Sequence, residues 1–113
     1  MKDKEKLDIA LEALRSYRGL NITYRDWLGH VSSRAILPFR VYEREGVVHI
    51  QSYCWLAKDV RHFSLPGILR IELRAKVVER AVYIKIRDEN EEIGQFLSQA
   101  CSLIKSVNLE TED

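Results

Sequence analysis

The sequence predicts a mainly β domain of the α+β class, built on a small, strongly curved antiparallel sheet or barrel with one amphipathic helix at each end. Residues 20–87 contain short apolar stretches that are separated by turn residues at intervals of about eight to twelve positions. A segment with helical periodicity precedes this region and another follows it. The 113 residues are enough for one domain, which we expect to span residues 1–113.

The N-terminal helix is predicted over residues 3–18. Its apolar residues recur at the spacing that places them on one helix face, and they are Leu7, Ala10, Leu11, Leu14 and Tyr17. Gly19 follows at a position where a helix would end. A helix-turn-helix needs a second helix next to the first, and none is predicted here, so sequence-specific reading of duplex DNA is not expected.

The β region is predicted to contain six strands. Pro38 lies inside the second of them and removes one donor from the ladder, so we expect an edge position or a bulge there. The last two alternate apolar and charged residues, and we expect the bend between them at Glu79-Arg80. The predicted strands are residues 20–25, 34–44, 47–55, 60–65, 69–77 and 82–87.

The C-terminal helix is predicted over residues 88–107, followed by a frayed polar tail at 108–113. Asp88 could cap the helix, and acidic residues fill the first turn, where negative charge suits the helix dipole. Its predicted apolar face consists of Ile93, Phe96, Leu97, Ala100, Cys101 and Ile104. Because this face is too apolar for a free helix in water, we expect it to dock onto the barrel, a second copy or a larger effector protein.

The charge is distributed unevenly. Residues 15–87 carry fourteen Lys and Arg against six acids, whereas residues 88–113 carry one Lys against seven acids. A basic body favours polyanions such as nucleic acid or nucleotides. Cys54 and Cys101 lie within apolar patterns, as reduced thiols do, which favours a cytoplasmic location. No stretch is apolar enough to span a membrane, and the N-terminus does not resemble a signal peptide.

Aromatic, glycine and arginine residues follow one another in a distinctive order through the predicted sheet. The first group is Tyr24, Gly29, Arg34 and Pro38-Phe39. The second is Gly46, Val48-His49-Ile50 and Tyr53-Cys54, and the third is Arg61-His62-Phe63, Leu65 and Ile68. This order and spacing resembles the WYL domain of bacterial transcription regulators and defence-associated proteins. Val48-His49-Ile50 stands where that family has Trp-Tyr-Leu, and Pro66-Gly67 stands where it has an acidic residue and Arg.

The resemblance covers residues 22 to about 73. It implies an SH3-like or Sm-like barrel of five or six strands and a non-enzymatic regulatory role. The ligand that it implies is single-stranded DNA or RNA, or a nucleotide, whose binding modulates a partner.

Three residues that match the family pattern, Arg34, Tyr53 and Arg61, form the first candidate site. A guanidinium offers a fixed fork of donors that suits phosphate, and a tyrosine ring can stack on a base. His49 occupies the place of the triplet's Tyr and could donate to an anion. In the structural alternative, the two arginines brace the barrel, Tyr53 is core and His49 is a half-exposed polar residue.

A second basic set is independent of the resemblance, and it consists of Arg70, Arg74, Lys76, Tyr83, Lys85 and Arg87. If Glu79-Arg80 is a two-residue turn, Arg74 lies opposite Lys85, a like-charge pair that an anion between them would relieve. An aromatic ring among cations is also typical of surfaces that bind single-stranded nucleic acid. The alternative is a solvated sheet face.

Enzymatic and metal chemistry are not expected. Cys54, His49 and His62 lack a fourth ligand and a metal-binding spacing, and Ser32-Ser33 lacks a base partner. We therefore expect no catalytic residue, no metal and no cofactor. The leading interpretation is a regulatory module that binds nucleic acid or a nucleotide, and the alternative is an interaction or oligomerisation module, such as a homodimer, without that ligand.

Overall fold

The computed structural model describes residues 1–90 and 101–107. Within these residues, two helices and six antiparallel strands account for most of the chain, with a single 3-10 turn at Leu65–Gly67. The elements are α1 (Asp3–Ser16), β1 (Arg18–Arg25), β2 (Val31–Arg44), β3 (Val47–Cys54), β4 (Asp59–Ser64), β5 (Ile68–Val77), α2 (Arg80–Asp88) and β6 (Ser102–Ser106). The prediction of a mainly β antiparallel domain is confirmed.

The six strands form one open sheet rather than a closed barrel. The order is β4-β3-β2-β1-β5, and β6 pairs separately with β2. β3 pairs with one edge of β2 from Ile36 onward. Because β1 pairs with Val31–Ile36 and β6 with Arg40–Glu43, these two strands occupy successive halves of the other edge. The long β2 strand is therefore the central strand of the sheet, because it pairs with β1, β3 and β6.

Pro38 is accommodated by a β-bulge. The pairing of β2 with β3 shifts between Pro38↔Ser52 and Arg40↔Gln51, which leaves Phe39 as the extra residue. A central strand tolerates proline only where its ladder is already interrupted. Of the two expected arrangements, an edge or a bulge, the structure has the bulge.

Each face of the sheet carries its own apolar cluster. Successive residues of a strand point to opposite faces, so Ile36 and Leu37 belong to different clusters. The face with Ile36, Ile50 and Phe63 packs against α1 and is called the α1 face. The opposite face, called the α2 face, carries Leu37, Phe39 and Val60 together with Tyr83 of α2, and Tyr17, Tyr53, Ile84 and Ile86 pack against them.

The predicted strand at residues 82–87 is wrong, because this segment lies inside helix α2. Tyr83 is fully buried there, whereas the alternating strand pattern would have exposed it. The expected hairpin that placed Arg74 opposite Lys85 therefore does not form. The helix buries the large Tyr83 side chain against the sheet, and this burial outweighs the weak preference for a strand that the alternation of apolar and charged residues indicates.

The predicted C-terminal helix is also wrong over its last part, where Ser102–Ser106 forms β6. Pairing with the free edge of β2 satisfies the backbone groups of this segment, and such tertiary pairing overrides helical periodicity. Cys101 is half-buried and Ile104 is exposed. The rest of the predicted apolar face, Ile93, Phe96, Leu97 and Ala100, and the tail at 108–113 lie outside the described residues.

Neither α1 nor α2 has the length and apolarity that a membrane crossing demands.

Candidate ligand-binding site

The four residues of the first candidate site are divided between the two faces of the sheet. Arg34 lies two positions before Ile36 in β2, on the α1 face, and Arg61 is paired with Ser52, which alternation places on that face as well. Tyr53 and His49 lie at odd positions of β3 and point to the α2 face. The structure therefore brings the two arginines to one face and the two rings to the other, and no single site contains all four.

Arg34 is held by neutral groups. Its Nε donates to Ser32 Oγ at 3.1 Å and its Nη1 to Cys54 Sγ at 3.5 Å, and the guanidinium lies 5.9 Å from the centre of the Phe63 ring. These contacts fix the side chain half-buried beside the α1-face cluster without neutralising its charge. Among residues 1–90 and 101–107, no carboxylate forms an ion pair with Arg34.

Arg61 is engaged within its own strand. Its Nη1 donates to Asp59 Oδ2 and to the carbonyl oxygen of Val60, both at 3.0 Å. The Val60 N–H and then Arg61 lower the pKa of the Asp59 carboxyl. An anionic ligand would have to compete with this carboxylate for the guanidinium.

The two ring residues of the first site also have partners. His49 stacks on Tyr42 with ring centres 5.1 Å apart, and its Nδ1 lies 3.0 Å from the carbonyl oxygen of Val47. Tyr53 meets Trp55 edge to face at 5.8 Å. Tyr53 is thus partly core, as the structural alternative expected, while Trp55 extends the aromatic surface toward solvent.

A pocket of about 420 Å³ lies on the α2 face between the end of β5 and helix α2. Its size falls within the range of sites that hold small molecules. Valine and isoleucine side chains provide an apolar wall, and two cations and an aromatic ring lie at the rim. The lining residues are Gly19, Trp55, Arg74, Lys76, Val77, Val78, Glu79, Val82 and Ile86.

Arg74 and Trp55 form the chemical centre of this pocket. The Arg74 guanidinium lies 5.7 Å from the centre of the Trp55 ring, within the range of a cation–π contact, and its Nη1 donates to Asn21 Oδ1 at 3.2 Å. Among residues 1–90 and 101–107, no carboxylate forms an ion pair with Arg74 or Lys76. Glu79 is the acid that the pocket lining includes, so one excess positive charge remains there.

Gly19 permits this arrangement by having no side chain. A Cβ at this position would lie 3.0 Å from Arg74 Cδ, 3.0 Å from the carbonyl oxygen of Ile36 and 3.4 Å from Trp55 Cζ3. The first two distances are tighter than most real contacts of a Cβ atom, so a side chain here would push its neighbours away by a few tenths of an ångström. The glycine thus lets the arginine and the tryptophan approach the β1 backbone closely.

The second basic set is only partly brought together. Arg70, Arg74 and Lys76 occupy alternate positions of β5 and share the α2 face. Lys85 is exposed on α2, and Arg87 forms an ion pair with Asp88 at 3.3 Å.

Tyr83 does not belong to the predicted basic surface, because its side chain is buried. Its hydroxyl donates to the carbonyl oxygen of Pro38 at 2.8 Å, and its ring packs edge-on against Tyr17 and Phe39 at 5.2 and 5.5 Å. Burial raises the pKa of this phenol well above its usual value. A ring enclosed in this way cannot stack on a nucleic-acid base.

Sequence reasoning missed Trp55 and the α2 side of the pocket. The one available signal was an aromatic residue directly before a turn, where a large side chain is easily exposed. Val82 and Ile86 could not be found, because they reach the pocket only when their segment is helical.

Comparisons with known proteins agree with this fold. The sequence model of the WYL domain family matches residues 5–73 of this chain. A solved structure, the proteasome accessory factor B/C (PafBC) of Arthrobacter aurescens, is similar with a TM-score of 0.65 and 22% sequence identity over 72% of this chain. The chain corresponds to 13% of the length of that structure, so the likeness concerns one part of it. No curated protein sequence matches. The family match extends from α1 through most of β5, and on that evidence the chain belongs to the WYL domain family.

Proposed function

We propose that this domain is a non-enzymatic regulatory module that binds single-stranded nucleic acid, DNA or RNA, or a nucleotide, and modulates a partner. The observation that carries the proposal is the open pocket in which Arg74 lies over Trp55 with Lys76 on the same strand. Membership of the WYL family supports the regulatory part. A cytoplasmic location belongs to the proposal as well, because Cys54 and Cys101 are free thiols.

The pocket offers a separate contact for each part of a nucleotide. The Trp55 ring is partly exposed and can stack on a base, an interaction that tolerates any base identity. Arg74 and Lys76 supply charge-assisted donors for phosphate oxygens. Val82 and Ile86 form the apolar wall against which a sugar can lie.

Arg34 and Arg61 remain the alternative location for the same ligand. They lie on the α1 face, so one nucleotide cannot contact them and Trp55 together. Their present partners, Ser32 and Cys54 for Arg34 and Asp59 for Arg61, make them less available than Arg74. Variants of the two locations therefore discriminate between them.

Binding of single-stranded DNA is expected to quench or shift the fluorescence of Trp55 and to weaken steeply with salt. The Trp27→Phe variant leaves Trp55 as the only tryptophan, because the chain has two. Each phosphate that the protein neutralises should contribute about −0.7 to the slope of log K against log salt. Titrations with an oligothymidylate, an RNA of the same length and a mononucleotide, each over a salt series, measure this. A lack of binding at low salt would contradict the proposal.

The Arg74→Ala and Lys76→Ala variants are each expected to weaken this binding about ten- to a hundredfold, because a hydrogen bond from a charged group contributes about 1.5–3 kcal/mol. Arg70→Ala is the matched control, since it removes a cation from the same strand and face outside the pocket. Thermal melts should stay close to that of the parent chain. If Arg34→Ala and Arg61→Ala abolish binding while Arg74→Ala does not, the ligand binds the α1 face instead.

A different observation favours the alternative, an interaction module. The turn between β1 and β2 and the first residue of β2 present apolar side chains to solvent, with Trp27 exposed over 91% of its surface and Leu28 and Val31 also exposed. Such a tip is typical of a contact with another protein chain, and a second copy of this chain is the simplest occupant. A concentration-dependent dimer mass in sedimentation, together with no binding of nucleic acid, would favour this function.

A further inference from the structure

Four strands place polar side chains in one row across the α2 face. Arg40 of β2 is paired with Ser106 of β6 on one side and with Gln51 of β3 on the other, and Gln51 is paired with His62 of β4. Residues directly opposite each other in antiparallel strands point to the same face. The bulge at Phe39 turns both Phe39 and Arg40 toward the side of α2, where Tyr83 lies.

The two central members of this row are buried without partners. Arg40 is 9% exposed and Gln51 is 1% exposed. Nε and Nη1 of Arg40, and Nε2 and Oε1 of Gln51, form no hydrogen bond with the described part of the chain. Buried polar groups are nearly always satisfied in folded proteins, so four unsatisfied atoms on adjacent residues indicate a missing partner.

The charge of Arg40 identifies the kind of partner. Nearby Tyr83 and Arg87 affect its titration, and Arg87 is a second cation. Burial lowers the pKa of the Arg40 guanidinium, which reflects the cost of removing it from water. A direct bond between Arg40 and Gln51 would satisfy two of the four atoms and still leave the charge uncompensated. An anion that contacts both side chains compensates the charge of Arg40 and can also bond the amide of Gln51.

We propose that Arg40 and Gln51 form a binding site for inorganic phosphate, distinct from the Arg74–Trp55 pocket. A guanidinium N–H of Arg40 can donate a charge-assisted hydrogen bond to one oxygen of an oxyanion. Gln51 offers one donor and one acceptor whichever way its amide is turned. Hydrogen phosphate suits this pair because it has free oxygens and also retains one P–OH group that can donate to the amide oxygen. Sulfate and the dianion of a phosphomonoester have no such proton.

The outer end of the row is its member nearest to solvent. His62, the last member in β4, lies at the surface, and its Nδ1 is 2.9 Å from the Tyr42 hydroxyl. This site does not depend on the proposed function, because none of its residues lines the Arg74–Trp55 pocket.

Thermal melting of the full chain in phosphate and in chloride of equal ionic strength tests the site. We expect phosphate to raise the Tm by about 5 °C at a concentration tenfold above its Kd, with smaller effects of sulfate and of a phosphomonoester such as phosphoserine. Equal shifts in phosphate and sulfate would overturn the assignment of the P–OH contact, and no shift in phosphate would overturn the site.

Gln51→Glu is the decisive variant. It has the same shape and places a carboxylate opposite Arg40, so the chain should melt higher in chloride and lose its response to phosphate. Arg40→Met should lose the response as well, whereas Arg44→Met, which removes an exposed arginine from the same strand, should keep it. Arg74→Ala should also keep it, which separates this site from the pocket. A phosphate response that persists in Gln51→Glu and Arg40→Met would overturn the proposal, and if Arg40→Met does not fold, Gln51→Glu alone decides.

Discussion

Tyr83→Ala is expected to destabilise the domain by about 3–5 kcal/mol, the cost of removing a large buried aromatic side chain. Tyr83 has 0% exposure, and its ring packs edge-on against Tyr17 and Phe39. Its hydroxyl also satisfies the carbonyl oxygen of Pro38, where the bulge interrupts the ladder. The substitution therefore removes the residue that attaches α2 to the sheet.

Urea denaturation followed by circular dichroism measures this loss. Tyr83→Phe separates the ring from the hydroxyl, and we expect it to cost about 1–3 kcal/mol because the Pro38 carbonyl is left without its donor. Val82→Ala is the matched control on the same helix, since Val82 is 45% exposed, and it should change stability by roughly 0.5 kcal/mol or less. If Tyr83→Ala were as mild as Val82→Ala, the helical placement of this segment would be refuted.

Phe63→Ala is expected to cost about as much, roughly 3–5 kcal/mol, on the opposite face of the sheet. Phe63 is buried in the α1-face cluster and meets the Tyr24 ring edge to face at 5.0 Å. The Arg34 guanidinium lies 5.9 Å from its ring centre. Loss of the ring leaves a cavity and removes the surface on which Arg34 is held.

Phe63→Leu distinguishes these two contributions. Leucine fills most of the space but has no aromatic face, so a cost below about 1.5 kcal/mol is expected from packing alone. The same denaturation series, repeated in an Arg34→Ala background, measures the coupling between the guanidinium and the ring. Equal stability of the alanine and leucine variants would show that Phe63 is not part of a packed core.

The sheet was predictable because its signal is local and repeated. Alternation in β5 and the turns at Glu45-Gly46 and Lys58-Asp59 follow from strand geometry, and both Glu45 and Lys58 take the left-handed conformation that such turns need. The sequence predicts a strand in place of helix α2 because Val82, Ile84 and Ile86 alternate as the residues of a strand do. On the side of α2 that carries Tyr83, the position one helical turn later is Arg87, which is not apolar. The spacing of the apolar residues therefore does not distinguish a helix from a strand in this segment.

The last strand and the site could not be read from the sequence for a different reason. Ser102–Ser106 is a strand because β2 offers an unpaired edge there, which is a property of the assembled sheet. Arg74 and Trp55 are nineteen positions apart and meet only because Gly19 of β1 lets both come close. The family pattern located a region correctly, but strand alternation distributed its residues over two faces.

The edge of β2 that pairs with β6 could accept the same strand from another molecule. β6 pairs with the sheet at four residues, Arg40–Glu43. The backbone donors and acceptors of this edge can pair equally well with a strand from the same molecule or from another one. A β6 from a neighbouring copy would find the same register, while β1 and β5 would keep their own pairing. Two copies could therefore become linked by exchanging their β6 strands, and a partner that offers a matching strand could displace β6 in the same way.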